Sequence, residues 1–292
     1  MVNTMTNEFA VKVAEEIEKA TGWKCEVKEF RKNNVNLTGI IIRKDESNTA
    51  PTVYIPDSIA DLTWEDLSEF DVIDAANEYI KAVENSPVLP EDTADKLSMI
   101  MTDKLEILRR VYFCLTNRNW NPSGEYVSRP VDGDLQYIYI IDVSDISEDG
   151  AIQLENEHIR RVGLTEDEIY SAAYANTQKK SPGVIIDLCD VVKRMPIPSG
   201  FMYVVSNEKG AYGAVAITYP DIQKKIAQKL GDDYVIIPVS VHECIVLRTP
   251  EEIDNDCLNA MVREINATVI QPQDRLSDHI YKVENGRLVS IN

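Results

Sequence analysis

The chain is 292 residues long, 44% hydrophobic and 27% charged, an ordinary globular composition with room for two average domains or one large one. Its 49 Asp and Glu against 30 Lys and Arg give a formal charge of −19. A surface that negative repels phosphate backbones and anionic bilayers, so direct nucleic-acid binding and membrane association are excluded from the expected functions. Basic residues nevertheless interleave with the acids, as in EEIEK, DKLEILRR and DIQKKIAQK, the pattern of a solvated mixed surface.

Phe9, Val13 and Ile17 recur at helical spacing and predict an amphipathic helix over residues 6–21, stopped by Gly22. Residues 25–30 and 37–43 read as two strands of a hairpin joined by RKNN, and Thr52 to Ile55 as a short third strand. Thr63-Trp-Glu-Asp66 supplies an N-cap and first-turn carboxylates for a helix from Trp64 to about Glu84. SPVLPEDTADK then reads as a surface connection. On this basis a region of helix and hairpin, 1–90, is expected before an α+β domain, 91–292, unless the two form one unit. Leu97–Ile100 and Leu105–Leu115 fit either helix or strand, NRNWNPSGEY is a loop, and Leu135–Val143 is a buried strand.

Thr165-Glu-Asp-Glu168 is a capping box that opens the helix IYSAAYANTQ. Phe201–Ser206 and Ala214–Ile217 read as a hairpin across NEKGAYG, followed by a helix at about 220–230. The run YVIIPVSVHECIVL, 234–247, reads as one continuous strand. Thr249-Pro-Glu-Glu252 is a second capping box for a helix to about Ile265, and Asn285-Gly286 marks a final hairpin turn. The order predicts an α+β fold, with mixed or antiparallel sheets and flanking helices.

Five cysteines, Cys25, Cys114, Cys189, Cys244 and Cys257, form no CxxC pair and several sit in apolar runs, the usage of a reducing compartment. The amino-terminal residues lack the basic start and apolar core of a signal peptide, and no apolar run approaches the roughly 18 residues of a membrane span. A cytoplasmic protein is expected.

On a regular strand Ser240, His242 and Cys244 share one face and Glu243 the other. Ser240, His242 and Glu243 are therefore the catalytic candidates, although a nucleophile also needs an oriented base and an oxyanion site, and no GxSxG elbow is present. The plainer reading is a strand with locally bonded polar residues at its exposed end. His242-Glu243 is not a zinc motif, since the position one helical turn on is Val246. Asp274, Asp278 and His279 form a small cluster, with the two aspartates on one face if helical. No metal site and no cofactor are predicted. The glycines of NEKGAYG match no phosphate-binding loop.

GLTEDEIYSAAYANT, GAVAI, YVIIPVSVHECIVL and LNAMVREINATVIQPQDRLSDHIYKVENG together resemble an uncharacterised bacterial domain-of-unknown-function family of gut clostridial type. That family carries a Pro-Ser-Ser-(Ile/Val)-His-Glu strand and a Leu-Ser-(Asp/Glu)-His-(Val/Ile)-Tyr tail. The chain departs at Val239, where the family has the first serine. The resemblance implies that Pro238, Ser240, His242, Glu243, Asn266, Leu276, Ser277, Asp278, His279 and Tyr281 mark a shared feature, with Asn266, Asp278, His279 and Tyr281 as binding candidates. It implies no activity. The expected function is a protein-interaction or regulatory module of an accessory or mobile-element-associated gene, with a protein partner. A hydrolase using His242 with Ser240 and Glu243 is the alternative, and an acidic DNA-mimic inhibitor a weaker one.

Overall fold

The computed structural model describes residues 4–32, 35–44, 50–85, 92–120, 126–147, 150–192, 198–249 and 254–291. The chain divides into two compact units, residues 1–97 and 98–292. In the first, α1 (Thr4–Thr21) buries Phe9, Ala10, Val13, Ala14 and Ile17 along one stripe. The stripe packs on the antiparallel pair β1 (Lys24–Lys32) and β2 (Val35–Arg43), extended by β3 (Thr52–Tyr54). Helix α2 (Glu69–Glu84) adds Val72, Ala76 and Val83 to the same core.

The helix expected from Trp64 begins five residues later, because the sequence holds two successive capping boxes. Asp66 accepts from the Thr63 amide at 2.9 Å and hydroxyl at 2.7 Å, closing an isolated turn. Ser68 and Asp71 repeat the exchange and cap α2 itself. Residues 33–34 of the RKNN link and 86–91 of the SPVLPEDTADK connection lie outside the described residues.

The second unit starts within α3 (Thr93–Thr102), followed by α4 (Lys104–Arg110) and β4 (Val111–Asn117). The ambiguous run thus resolves into helix and then strand where the β-branched and aromatic residues take over. Next come β5 (Ser128–Pro130), β6 (Leu135–Asp142), β7 (Ala151–Gln153), α5 (Asn156–Val162) and α6 (Glu166–Lys180). Strand β6 pairs with β4 on one side and with β5 and β7 on the other, all antiparallel. Helix α6, opened by the reciprocal Thr165–Glu168 cap, lies on β4, where the Thr177 hydroxyl accepts the Phe113 N–H at 3.1 Å.

The remaining elements are β8 (Gly183–Asp187), α7 (Leu188–Val191), β9 (Met202–Asn207), α8 (Pro220–Leu230), β10 (Tyr234–Ile237), β11 (Cys244–Arg248), α9 (Asn255–Thr268), β12 (Ile280–Glu284) and β13 (Arg287–Ile291). They build a six-stranded sheet in the order β13-β12-β10-β11-β9-β8, with every pairing antiparallel. Helix α9 buries Leu258 and Val262 against Val235, Leu247 and Ile280. With three antiparallel sheets and flanking helices, the fold is α+β.

Two expected strands are corrected. Residues 234–247 are two strands and a turn: Pro238 has no N–H for a central ladder, and Ser240 and Glu243 exchange backbone hydrogen bonds at 3.1 and 3.3 Å. Ser240, His242 and Cys244 therefore do not share a strand face. Residues 213–218 form a 3₁₀ turn rather than a hairpin partner of β9, and β9 pairs instead with β8 and β11. Strand β8, absent from the sequence prediction, occupies the place given to GAVAI. The cap expected at Thr249–Glu252 falls mainly on residues outside those described; α9 is capped by Asp254, which accepts the Cys257 N–H at 2.7 Å. Asn285 and Gly286, both at positive φ, make the last hairpin turn as predicted.

A Cβ on Gly213 would lie 2.5 Å from the Asn207 backbone nitrogen and 2.8 Å from the His242 carbonyl oxygen. Backbone on two sides cannot give way, so Gly213→Ala is expected to destabilise the second unit by ~2 kcal/mol or more in urea denaturation. At the start of α6, Lys104 and the Thr165 amide and hydroxyl hold the Glu168 carboxyl near about 2 against an ordinary 4.5. A carboxyl lowered on folding stabilises the fold above its unfolded pKa and loses that contribution as pH falls through the folded value. Glu168→Gln is therefore expected to flatten the acid limb of the stability profile between pH 4.5 and about 2, measured by circular dichroism.

Candidate functional site

The carboxylate of Asp134, on the turn into β6, is buried and, among the described residues, is held by no cation. The Tyr281 hydroxyl donates to its Oδ1 at 2.5 Å, the Ser277 hydroxyl to the same oxygen at 2.7 Å, and Asn117 Nδ2 to Oδ2 at 2.7 Å. Asn117 Nδ2 also reaches the Leu276 carbonyl at 3.0 Å. Ser277 accepts the His279 N–H at 3.0 Å, while its carbonyl accepts Asn266 Nδ2 at 2.7 Å. Asn266 Nδ2 is also 2.7 Å from Asp278 Oδ1. The tail segment Leu276 to Tyr281 thus clasps α9 and β12 to the end of β4 and the turn before β6. Burial and the adjacent Asp134 charge push the Tyr281 phenol far above its ordinary pKa, so it stays a donor.

Of the four binding candidates, Asn266, Asp278 and Tyr281 are consumed in this clasp, and His279 is tied to it through its backbone. The cluster of Asp274, Asp278 and His279 is not helical. Asp274 closes a 3₁₀ turn of Pro272–Asp274 and faces His242, whereas Asp278 faces Asn266. Among the described residues no group of three or more His, Cys, Asp or Glu is arranged to hold a metal ion. The third histidine, His158, accepts the Glu155 N–H at 3.1 Å as part of the cap of α5.

His242 sits in the turn between β10 and β11, and both ring nitrogens are engaged. Nδ1 accepts the Tyr212 N–H at 3.1 Å, and Nε2 lies 3.4 Å from Asp274 Oδ1. An acceptor at Nδ1 places the neutral ring's proton on Nε2, toward the carboxylate. Ser240 Oγ accepts the His242 backbone N–H at 3.1 Å, Glu243 is exposed, and the Cys244 thiol is fully buried. Burial pushes that thiol well above its ordinary range, which keeps it protonated and unreactive.

The residue that His242 holds is unusual. Tyr212 has φ 52° and ψ 29°, the left-handed region, where a bulky side chain is strained. Its ring packs tilted against His242, with the centroids 5.5 Å apart. Asn207 fastens the preceding loop, donating to the Ala211 carbonyl at 2.8 Å and to Ser181 Oγ at 2.7 Å. The loop closes one side of a cavity of about 530 Å³, whose lining includes Tyr112, Cys114, Asp142, Lys180, Lys209 and Tyr212. Lys180 pairs with Asp142 and stands 5.2 Å above the Tyr112 ring. Cys114 is buried, which pushes its thiol up to about 12.

The model of a family of unknown function, DUF5688, matches residues 6–284. The chain belongs to that family. Comparison with the curated proteins and with the solved structures found no match. Among the described residues no helix is long and apolar enough to cross a membrane.

Sequence reasoning missed Asp134, Asn117, Tyr212 and Lys180. The only available signals were an Asp-Gly-Asp turn before a buried strand, and a tyrosine inside the glycine-flanked GAYG. Tyr281→Phe keeps the ring but removes a donor from a buried carboxylate. It is expected to lower unfolding free energy by about 1–3 kcal/mol, and a change below ~0.5 kcal/mol in urea titration would show that the hydroxyl is dispensable.

Proposed function

We propose that the second unit binds a small ligand bearing an anionic group and an aromatic or apolar body, in the cavity beside Tyr212. The observation that carries this reading is the strained Tyr212, held by the His242–Asp274 pair against the cavity. Strain in a bulky residue persists only where surrounding contacts over-determine it, and such residues cluster at ligand clamps. A volume of about 530 Å³ falls within the range of small-molecule sites. Lys180, paired with Asp142, and Lys209 are the two lysines of the cavity lining in a chain of charge −19. Tyr112, Phe113 and Tyr212 supply an aromatic wall. On this reading the Pro238–Glu243 segment and Asp274 serve to position Tyr212.

The hydrolase alternative has less support. A general base needs one ring nitrogen free for the nucleophile's proton, whereas His242 spends Nδ1 on Tyr212 and aims Nε2 at Asp274. Ser240 and Cys244 are both buried. A cytoplasmic interaction module with a protein partner is compatible with ligand binding, and a separate surface supports it.

The test is isothermal titration with phenyl phosphate as the anionic aromatic probe, against phenol, benzylamine and inorganic phosphate. Phenyl phosphate is expected to bind best. The Lys180→Gln/Lys209→Gln double variant should weaken it at least tenfold, about 1.4 kcal/mol. Tyr212→Gly, which takes the same backbone conformation without strain, should fold normally and lose the probe. Equal binding of benzylamine, or undiminished binding by Tyr212→Gly, would refute the proposal.

A further inference from the structure

The two edges of the six-stranded sheet are finished differently. At β13 the side chains of other elements take up backbone groups: Asp132 accepts the Ser290 N–H at 2.7 Å, and Asn259 donates to the Ile291 carbonyl at 2.9 Å. At the far end β8 pairs only with β9 among the described residues. Its sequence, Gly-Val-Ile-Ile-Asp, has no lysine, no internal proline and no bulge, and its one charge, Asp187, stands at its end. Ile186 is 41% exposed, and two further exposed apolar side chains flank the end of the strand, Val191 at 55% and Phe201 at 48%. Val191 belongs to α7, which follows β8 directly, and Phe201 follows Gly200, whose N–H donates to Asp187 at 2.7 Å. A bare apolar edge of this kind is a template for another strand.

The neighbouring helix indicates which strand. Helix α8 packs against β8 so closely that a Cβ on Gly183 would lie 2.7 Å from Ile222 Cγ1. Between the two elements runs a groove of about 370 Å³, lined by Gly183, Ile185, Ile222, Lys225, Gln228 and Lys229. Helix α8 carries Lys224, Lys225 and Lys229, all exposed, against the single acid Asp221. Asp187 and Asp190 lie at the far end of β8, but the groove itself is lined by Lys225 and Lys229 and by no acidic residue, in a chain of net charge −19. Asp221 pairs with Lys225 at 3.0 Å, and Lys229 stands 4.9 Å above the Tyr203 ring.

We propose that β8 and the α8 groove form a docking site for an extended acidic segment of a partner protein. The segment would add a strand to the sheet through its backbone, set its alternate apolar side chains beside the exposed Ile186 on one face, and direct its carboxylates on the other face to the α8 lysines beside Ile185. A second copy of this chain is disfavoured by charge. Two β8 strands paired antiparallel about a two-fold axis normal to the sheet would bring both α8 helices to the same face, lysines toward lysines.

The test is fluorescence anisotropy of the full chain with a labelled hexapeptide of alternating glutamate and valine, against its lysine–valine counterpart. The acidic peptide is expected to bind, with affinity falling as salt rises from 50 to 300 mM by about tenfold. Amide resonances of Val184 and Ile186 should shift on binding. Ile186→Lys and Lys225→Glu/Lys229→Glu change exposed side chains only, so circular dichroism should stay native while binding falls at least tenfold. Equal binding of the lysine–valine peptide, no binding of the acidic one at millimolar concentration, or binding unchanged in both variants would overturn the proposal. So would a concentration-dependent dimer in sedimentation that Ile186→Lys abolishes, since the edge would then serve a second copy.

Discussion

The second unit depends on one buried carboxylate. Among the described residues the Asp134 carboxylate is held by two hydroxyls and an amide, from Tyr281, Ser277 and Asn117, and by no lysine or arginine. A charge taken out of water without such donors is prohibitively unfavourable, so the tail must return to the start of β6 for the core to close. The requirement is mutual, because Tyr281 is itself fully buried and its phenol needs an acceptor there. Gly133 makes the approach feasible: at φ 52° it takes a left-handed turn, and a Cβ would stand 2.8 Å from the Tyr281 hydroxyl and 2.7 Å from Ser290 Cβ. Residues 117 and 133–134 of one sheet region meet residues 277–281 and 290 of the other there, 143 or more positions on, so two sheets are tied by it.

This explains why part of the fold was legible in the sequence and part was not. Helix ends obey local rules, so Thr165–Glu168, Asn285-Gly286 and the apolar spacing of Phe9, Val13 and Ile17 could be read from a few adjacent residues. Where local rules occurred twice in succession, as at Thr63–Asp66 and Ser68–Asp71, the chemistry was recognised but the helix start was misplaced. Pairing partners are different. GAVAI and the run from Gly183 to Asp187 are both short and apolar, and nothing local decides which becomes a strand. The outcome rests on Gly183, which fits under Ile222, and on Gly213, which fits only against the backbone at Asn207 and His242. Pro238 was the one local sign that 234–247 could not be a single central strand.

The candidate site follows the same division. Asn266, Asp278 and Tyr281 could be picked out as a shared tail feature, and the structure links them through Ser277: Asn266 bonds the Ser277 carbonyl and Asp278, while Ser277 and Tyr281 reach Asp134. His242 itself looked catalytic because a histidine beside a glutamate and near a serine suggests proton transfer. Its actual partners, Tyr212 and Asp274, lie 30 residues before it and 32 residues after it. The sequence offers no periodicity that would pair them. A histidine with both nitrogens engaged acts here as a strut, and the strain it supports is expressed at Tyr212.

The distribution of charge links the cavity to the open sheet edge. A chain at −19 would present a repulsive surface to any acidic or phosphorylated partner if its charges were evenly spread. They are not: Lys180 and Lys209 line the cavity beside Tyr212, and Lys224, Lys225 and Lys229 line one side of α8. Strand β8 starts two residues after Ser181, which contacts Asn207 in the loop wall of the cavity, and pairs with β9, whose last residue is Asn207. Were both proposed sites used, Asn207 would be the side chain that joins them, since it bonds Ser181 beside β8 and the Ala211 carbonyl in the loop that carries Tyr212.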